Sequence, residues 1–132
     1  MRFLLIAMGV VEALTGLGLI AVPSLVASLL LGTALEGEVV FIIAHICGAG
    51  LLSLGIACLL ASGDAGARAA VGLVVAMVFY NTIATGVLWH ALMGLKMTGI
   101  LLWPAIIAHA ALLVWCIASL LAVSRVRRSN AA

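Results

Sequence analysis

Four apolar segments, each long enough to cross a bilayer and separated by short breaks, set the limits on what this chain can become. They run Phe3–Val22, Val39–Leu60, Ala69–Leu92 and Gly99–Val123. A hydrocarbon core ~30 Å thick takes about 20 apolar residues of helix to span, and a helix in lipid satisfies its own backbone hydrogen bonds. Each segment is therefore predicted to be a transmembrane helix. The breaks carry turn chemistry: Pro23, the Gly32 to Glu38 stretch, Ser62-Gly63-Asp64-Ala65-Gly66, and Met93-Gly94-Leu95-Lys96. Connections this short make consecutive helices antiparallel. The expected fold is one all-α domain over residues 1–132, an integral membrane antiparallel four-transmembrane-helix bundle.

Composition excludes the soluble alternative. The chain is 67% hydrophobic and 8% charged, against ~45–50% and ~25% for soluble domains. Its net charge of +2 comes from basic residues at helix ends, where they meet lipid headgroups, so no nucleic-acid partner is expected. Cys47, Cys58 and Cys116 lie inside apolar runs without a CxxC pair, which reads as small packing residues and no disulfide.

Between the first two spans, Pro23–Leu31 (PSLVASLLL) is too short to cross and too apolar to float in water. It is predicted as a turn or two of interfacial helix over about 23–31. The first segment is read as a span and not a secretory signal, because Glu12 interrupts it and Leu25 is large for the position two before Ala27. Gly9, Gly16 and Gly18 of the first span and Gly48, Gly50 and Gly55 of the second suit close backbone approach between helices. Arg2, Arg68, Arg125, Arg127 and Arg128 fall on one side of a four-span arrangement and Lys96 on the other. The positive-inside rule then predicts cytoplasmic N- and C-termini, with Glu36, Glu38 and Lys96 outward.

Ionisable groups at membrane depth are rare and costly, so each needs a reason. Taking span centres as the midplane puts Glu12, Tyr80, Asn81 and His109 near one level, with His45 a turn or two further outward. Asn81, Thr85 and Trp89 share a helix face, as do Gly9, Glu12 and Gly16, which is the pattern of a polar seam pointing into a bundle. No Lys or Arg lies at that depth, so Glu12 is expected to face the interior as a neutral acid. Such side chains often only hydrogen-bond across helices and fix register. The alternative is a ligand-binding cluster of Glu12, His45, Tyr80, Asn81 and His109, with no catalytic residue among them. Trp89 and His90 read as interfacial anchors. His45 and His109 could supply two axial ligands to a haem, or join Glu12 or Glu38 on a metal, with Cys47 and Met93 as soft ligands for copper. No ligand-spacing motif on any single helix supports this, so no cofactor is expected. The echo of Ile42-Ile43-Ala44-His45 in Ile106-Ile107-Ala108-His109 is weak evidence of duplicated hairpins in so biased a sequence.

The run Gly9-Val-Val-Glu-Ala-Leu-Thr-Gly16, then Val22-Pro23-Ser24, Leu29-Leu-Leu-Gly32 and Gly48-Ala-Gly-Leu-Leu-Ser-Leu-Gly55, resembles the small DoxX-like four-helix membrane proteins over most of the chain. The resemblance implies a four-helix bundle in a bacterial inner membrane, in a group of which some members are linked to quinone or respiratory chemistry. It transfers no functional residue. The chain is also similar in length to the small multidrug resistance transporters, which place a proton-exchanging glutamate in the first helix, as Glu12 is here. It departs from them in its one-sided charge bias and in lacking their tryptophan-centred motif in the third helix.

These readings converge on a small, non-enzymatic inner-membrane bundle that binds a hydrophobic partner: a quinone, a lipid or another membrane subunit. Proton-coupled transport of a small molecule through Glu12 is the second expectation, and a haem- or metal-carrying redox subunit using His45 and His109 the third. The lipid bilayer is a partner in every case, and the sequence is compatible with a homo-oligomer.

Overall fold

A computed structural model describes residues 1–129, leaving the side chains of Arg127 and Arg128 outside the described residues together with positions 130–132. It is all helical among those residues: α1 (Arg2–Ala21), α2 (Pro23–Leu31), α3 (Glu38–Ala61), a 3-10 turn (Ser62–Asp64), α4 (Arg68–Met93) and α5 (Leu102–Ser129). Helices α1, α3, α4 and α5 are long and apolar enough to cross a membrane. The expected spans are present to within a few residues at most ends. The fourth starts later than Gly99 because Gly99–Leu101 form its entry turn, with the Leu102 N–H on the Gly99 carbonyl at 3.0 Å, and it continues past Val123 to Ser129.

Pro23 divides α1 from α2. The residue before a proline is pushed out of helical geometry, and Val22 sits at φ −143° and ψ 57°, while Pro23 occupies the first turn of α2, where no N–H is needed. The segment predicted as interfacial is thus helical, but it also lies across the end of the bundle. Pro23 and Ala27 are buried, and Leu25 and Leu29 face outward. Two contacts hold it there. The Leu101 N–H donates to the Leu29 carbonyl at 2.9 Å, and the Leu35 N–H donates to Ser24 Oγ at 3.2 Å.

The closest helix pair is α1 with α3. A Cβ on Gly16 would meet the Leu52 backbone nitrogen at 2.5 Å, and one on Gly55 would meet the Ala13 nitrogen at 2.6 Å. Backbone therefore lies on backbone, with Gly9 opposite Gly55 and Gly16 opposite Gly48, so the two helices run antiparallel. Gly50 faces open space and Gly18 faces Val26 of α2, so only part of the predicted glycine set makes this contact. Helices α4 and α5 form the second pair, also antiparallel, since Asn81 meets His109 and Trp89 meets Trp103.

The two pairs close on each other unevenly. At the end bearing Arg2, Arg68 and Arg125, a dry cluster of Leu4, Leu5, Met8, Cys58, Val74, Met77 and Cys116 fills the interior, with the Cys116 thiol 3.5 Å from Met8 Sδ. At the end covered by α2 the interior is hollow.

Candidate functional site

A polar layer marks the boundary between the packed half and the hollow half. Glu12 emerges from α1 between the two glycines that seat that helix on α3, which leaves its side chain 1% exposed. Tyr80 of α4 reaches across the bundle and donates its hydroxyl to Glu12 Oε2 at 3.0 Å. The other carboxyl oxygen, Oε1, is buried with no hydrogen-bond partner among the described residues.

Asn81, the next residue of α4, is turned toward α5 and is fully buried. Its Nδ2 donates to the Met77 carbonyl at 2.8 Å, which leaves Oδ1 to face His109 Nδ1 at 2.9 Å. A carboxamide oxygen can only accept, so the histidine proton sits on Nδ1 and points at Asn81. In the neutral ring Nε2 then keeps its lone pair. The imidazole stands edge-on to Tyr80, with centroids 5.6 Å apart and planes at 73°.

Four of the five residues expected to cluster are thus brought together: Glu12, Tyr80, Asn81 and His109. His45 is not. Its neighbours Ala44 and Cys47 face the hollow, while His45 is exposed on the outside of α3 and lines no cavity with His109. The physical reason is helix geometry: one residue turns a side chain by about 100°, and the face of α3 given to α1 is the one set by Gly48 and Gly55. A shared pair of axial ligands from His45 and His109 has no common space in this arrangement, and among the described residues no three His, Cys, Asp or Glu side chains converge as metal ligands.

The hollow is a cavity of about 730 Å³ bounded by α1, α3, α4 and α5, with α2 over it. Its wall is aliphatic, from Leu19, Leu30, Leu51, Leu54, Ala84 and Val87 among others, and the residues with polar side-chain atoms are Thr15, Cys47, Tyr80 and His109. A second hollow of about 460 Å³ adjoins it between α1 and α5, sharing Thr15, Val26, Leu30, Leu88 and His109. Helices α3 and α4 contribute exposed residues to the first cavity, Ile43, Cys47 and Gly50 from one and Val87 from the other, so it opens sideways between them.

Sequence reading missed Thr15 and the inward role of Cys47. Thr15 lies one turn beyond Glu12 and lines both hollows, with its hydroxyl donated to the Val11 carbonyl at 2.9 Å. The i, i+3 spacing from Glu12 was the available signal. Trp89 and Trp103 pack edge to face, centroids 6.2 Å apart, near the far ends of α4 and α5, and both are half exposed at the level expected for membrane anchors.

Comparison with family models, curated proteins and solved structures finds no match to this chain. What the fold and composition define is a class: a multi-pass helical membrane protein.

Proposed function

We propose that this protein is a non-enzymatic bacterial inner-membrane bundle that holds a hydrophobic partner in the cavity beneath α2. The observation that carries the reading is the asymmetry of the interior. One half is packed dry and the other is left open with an aliphatic wall, a sideways mouth and a polar layer at its closed end. Binding sites for small molecules have this make-up, apolar walls with a few placed polar groups. A volume of about 730 Å³ suits a single lipophile such as a quinone or one lipid chain with its head. Glu12 lies behind Tyr80 and lines neither hollow, so the geometry favours this reading over cation exchange at Glu12. A DoxX-like affiliation belongs to the same proposal. The glycines quoted for it, Gly9, Gly16, Gly48 and Gly55, are those that make the α1–α3 contact.

Native mass spectrometry from a gentle detergent tests the reading. The purified protein is expected to carry one co-purifying lipophile, and Ala84→Trp, which places an indole in the cavity one turn from Tyr80, is expected to weaken its retention at least about tenfold. Equal retention by the variant would place the partner elsewhere.

The orientation is part of the same proposal. Arg2, Arg68 and Arg125 share one end of the bundle, so that end is assigned to the cytoplasm and α2 to the opposite face. In a background lacking Cys47, Cys58 and Cys116, a cysteine at Glu36 is expected to react with an impermeant thiol reagent in spheroplasts, and one at Ser129 only after lysis. Reaction at position 129 in intact spheroplasts would reverse the assignment.

A further inference from the structure

Every strong donor proton on the cavity wall is already committed inside the protein. The Thr15 hydroxyl gives its proton to the Val11 carbonyl at 2.9 Å, the Tyr80 hydroxyl to Glu12 Oε2 at 3.0 Å, and His109 Nδ1 to Asn81 Oδ1 at 2.9 Å. The remaining polar side chain, Cys47, has only a weak thiol donor. The wall is helical apart from Leu35, so its backbone N–H groups are committed to the helix ladders, and the Leu35 N–H is given to Ser24 Oγ at 3.2 Å.

What these wall residues have left to offer is a set of lone pairs: Nε2 of a neutral His109, and the oxygens of Tyr80 and Thr15. We infer that the cavity selects a lipophile carrying a neutral hydroxyl donor, an alcohol or phenol with an apolar body, over the same molecule with a carbonyl or ether in that place. The inference rests on the reading of the cavity as a ligand site. A carbonyl or ether oxygen brought to this wall meets only acceptors and loses its water without replacement, so of a quinone and its reduced dihydroxy form the reduced one is the form the cavity prefers. An ammonium donor is excluded by a different argument, since no carboxylate lines the hollow and a cation there would be unpaired. His109 is the main recognition atom because Asn81, itself held by the Met77 carbonyl at 2.8 Å, fixes which nitrogen carries the proton. The sideways mouth between α3 and α4 admits such a molecule from the bilayer.

The test compares 4-nonylphenol with its methyl ether, 4-nonylanisole, titrated against the full-length protein in lipid nanodiscs, with affinities expressed on concentration in the bilayer. The phenol is expected to bind about 3- to 10-fold more tightly, the range of one net hydrogen bond. The double substitution His109→Leu with Asn81→Leu removes both partners of the buried bond, so neither is left unpaired. It is expected to bring the ratio below about 2-fold while leaving the ether's affinity in place. Binding of both probes with equal affinity to the wild type, or a preference for the ether, overturns the donor inference and leaves the cavity reading standing. Failure of both probes to bind overturns the cavity reading itself. The wild-type ratio decides the inference even where the double variant does not fold.

Discussion

Gly16→Val and Gly55→Val are each expected to destabilise the bundle by about 2–3 kcal/mol, whereas Gly50→Val on the same helix as Gly55 changes it by less than about 0.5 kcal/mol. The difference is steric. A Cβ on Gly16 would stand 2.5 Å from the Leu52 nitrogen and 2.6 Å from the Gly48 carbonyl oxygen, and one on Gly55 would stand 2.6 Å from the Ala13 nitrogen. These neighbours are backbone, so no rotamer change relieves the overlap and the helices must separate. Separation forfeits close packing, which is the main force between helices where lipid is as apolar as any side chain. Gly50 has nothing within 4 Å, so its substitution keeps the chemistry and omits the clash. Reversible unfolding in mixed micelles measures all three. A loss below about 1 kcal/mol for both Gly16→Val and Gly55→Val would show that the α1–α3 contact is not as close as described.

How much of this was readable in the sequence follows from what lipid does to sequence signals. The spans were legible because length and breakers alone report them: Pro23, the Gly32 to Glu38 stretch and Lys96 all fall at or between helix ends in the structure. The face each helix turns inward was less legible. In water an apolar stripe announces the core, but α3 is apolar all round, so its histidine and its glycines compete as markers. The glycines prevail because only they permit the α1 backbone to approach, and His45 is rotated to the outside as a consequence. On α4 the reverse holds. Tyr80 and Asn81 are adjacent and polar at span centre, and they point to two different neighbours, Glu12 and His109. The level of the polar layer was therefore visible from depth alone, whereas the hollow above it was not. A cavity is a statement about atoms that fail to meet, and the residues around it, such as Leu30, Leu51 and Ala84, are the same types that fill the packed half.

The other large effect is expected at Glu12, where two substitutions should part company. Glu12→Ala is expected to cost about 2–3 kcal/mol, by opening a void among fully buried neighbours and leaving the Tyr80 hydroxyl without its acceptor. Glu12→Gln keeps the volume and an acceptor for Tyr80, and should change stability by less than about 1 kcal/mol. Both numbers assume that the wild-type group is the neutral acid. That form fits the geometry: Oε2 receives the Tyr80 proton as a carbonyl oxygen would, and the unpartnered Oε1 is then a hydroxyl and not one end of an unpaired carboxylate. No ion pair is available to Glu12 among the described residues, and taking an unpaired carboxylate into lipid costs far more than leaving one hydroxyl unbonded. Infrared difference spectra at neutral pH are expected to show a protonated carboxyl band that is missing in Glu12→Gln. A carboxylate signal at neutral pH assignable to Glu12 would sink this account, and Glu12→Gln would then be the costly substitution, because it removes a charge the fold had been built to hold.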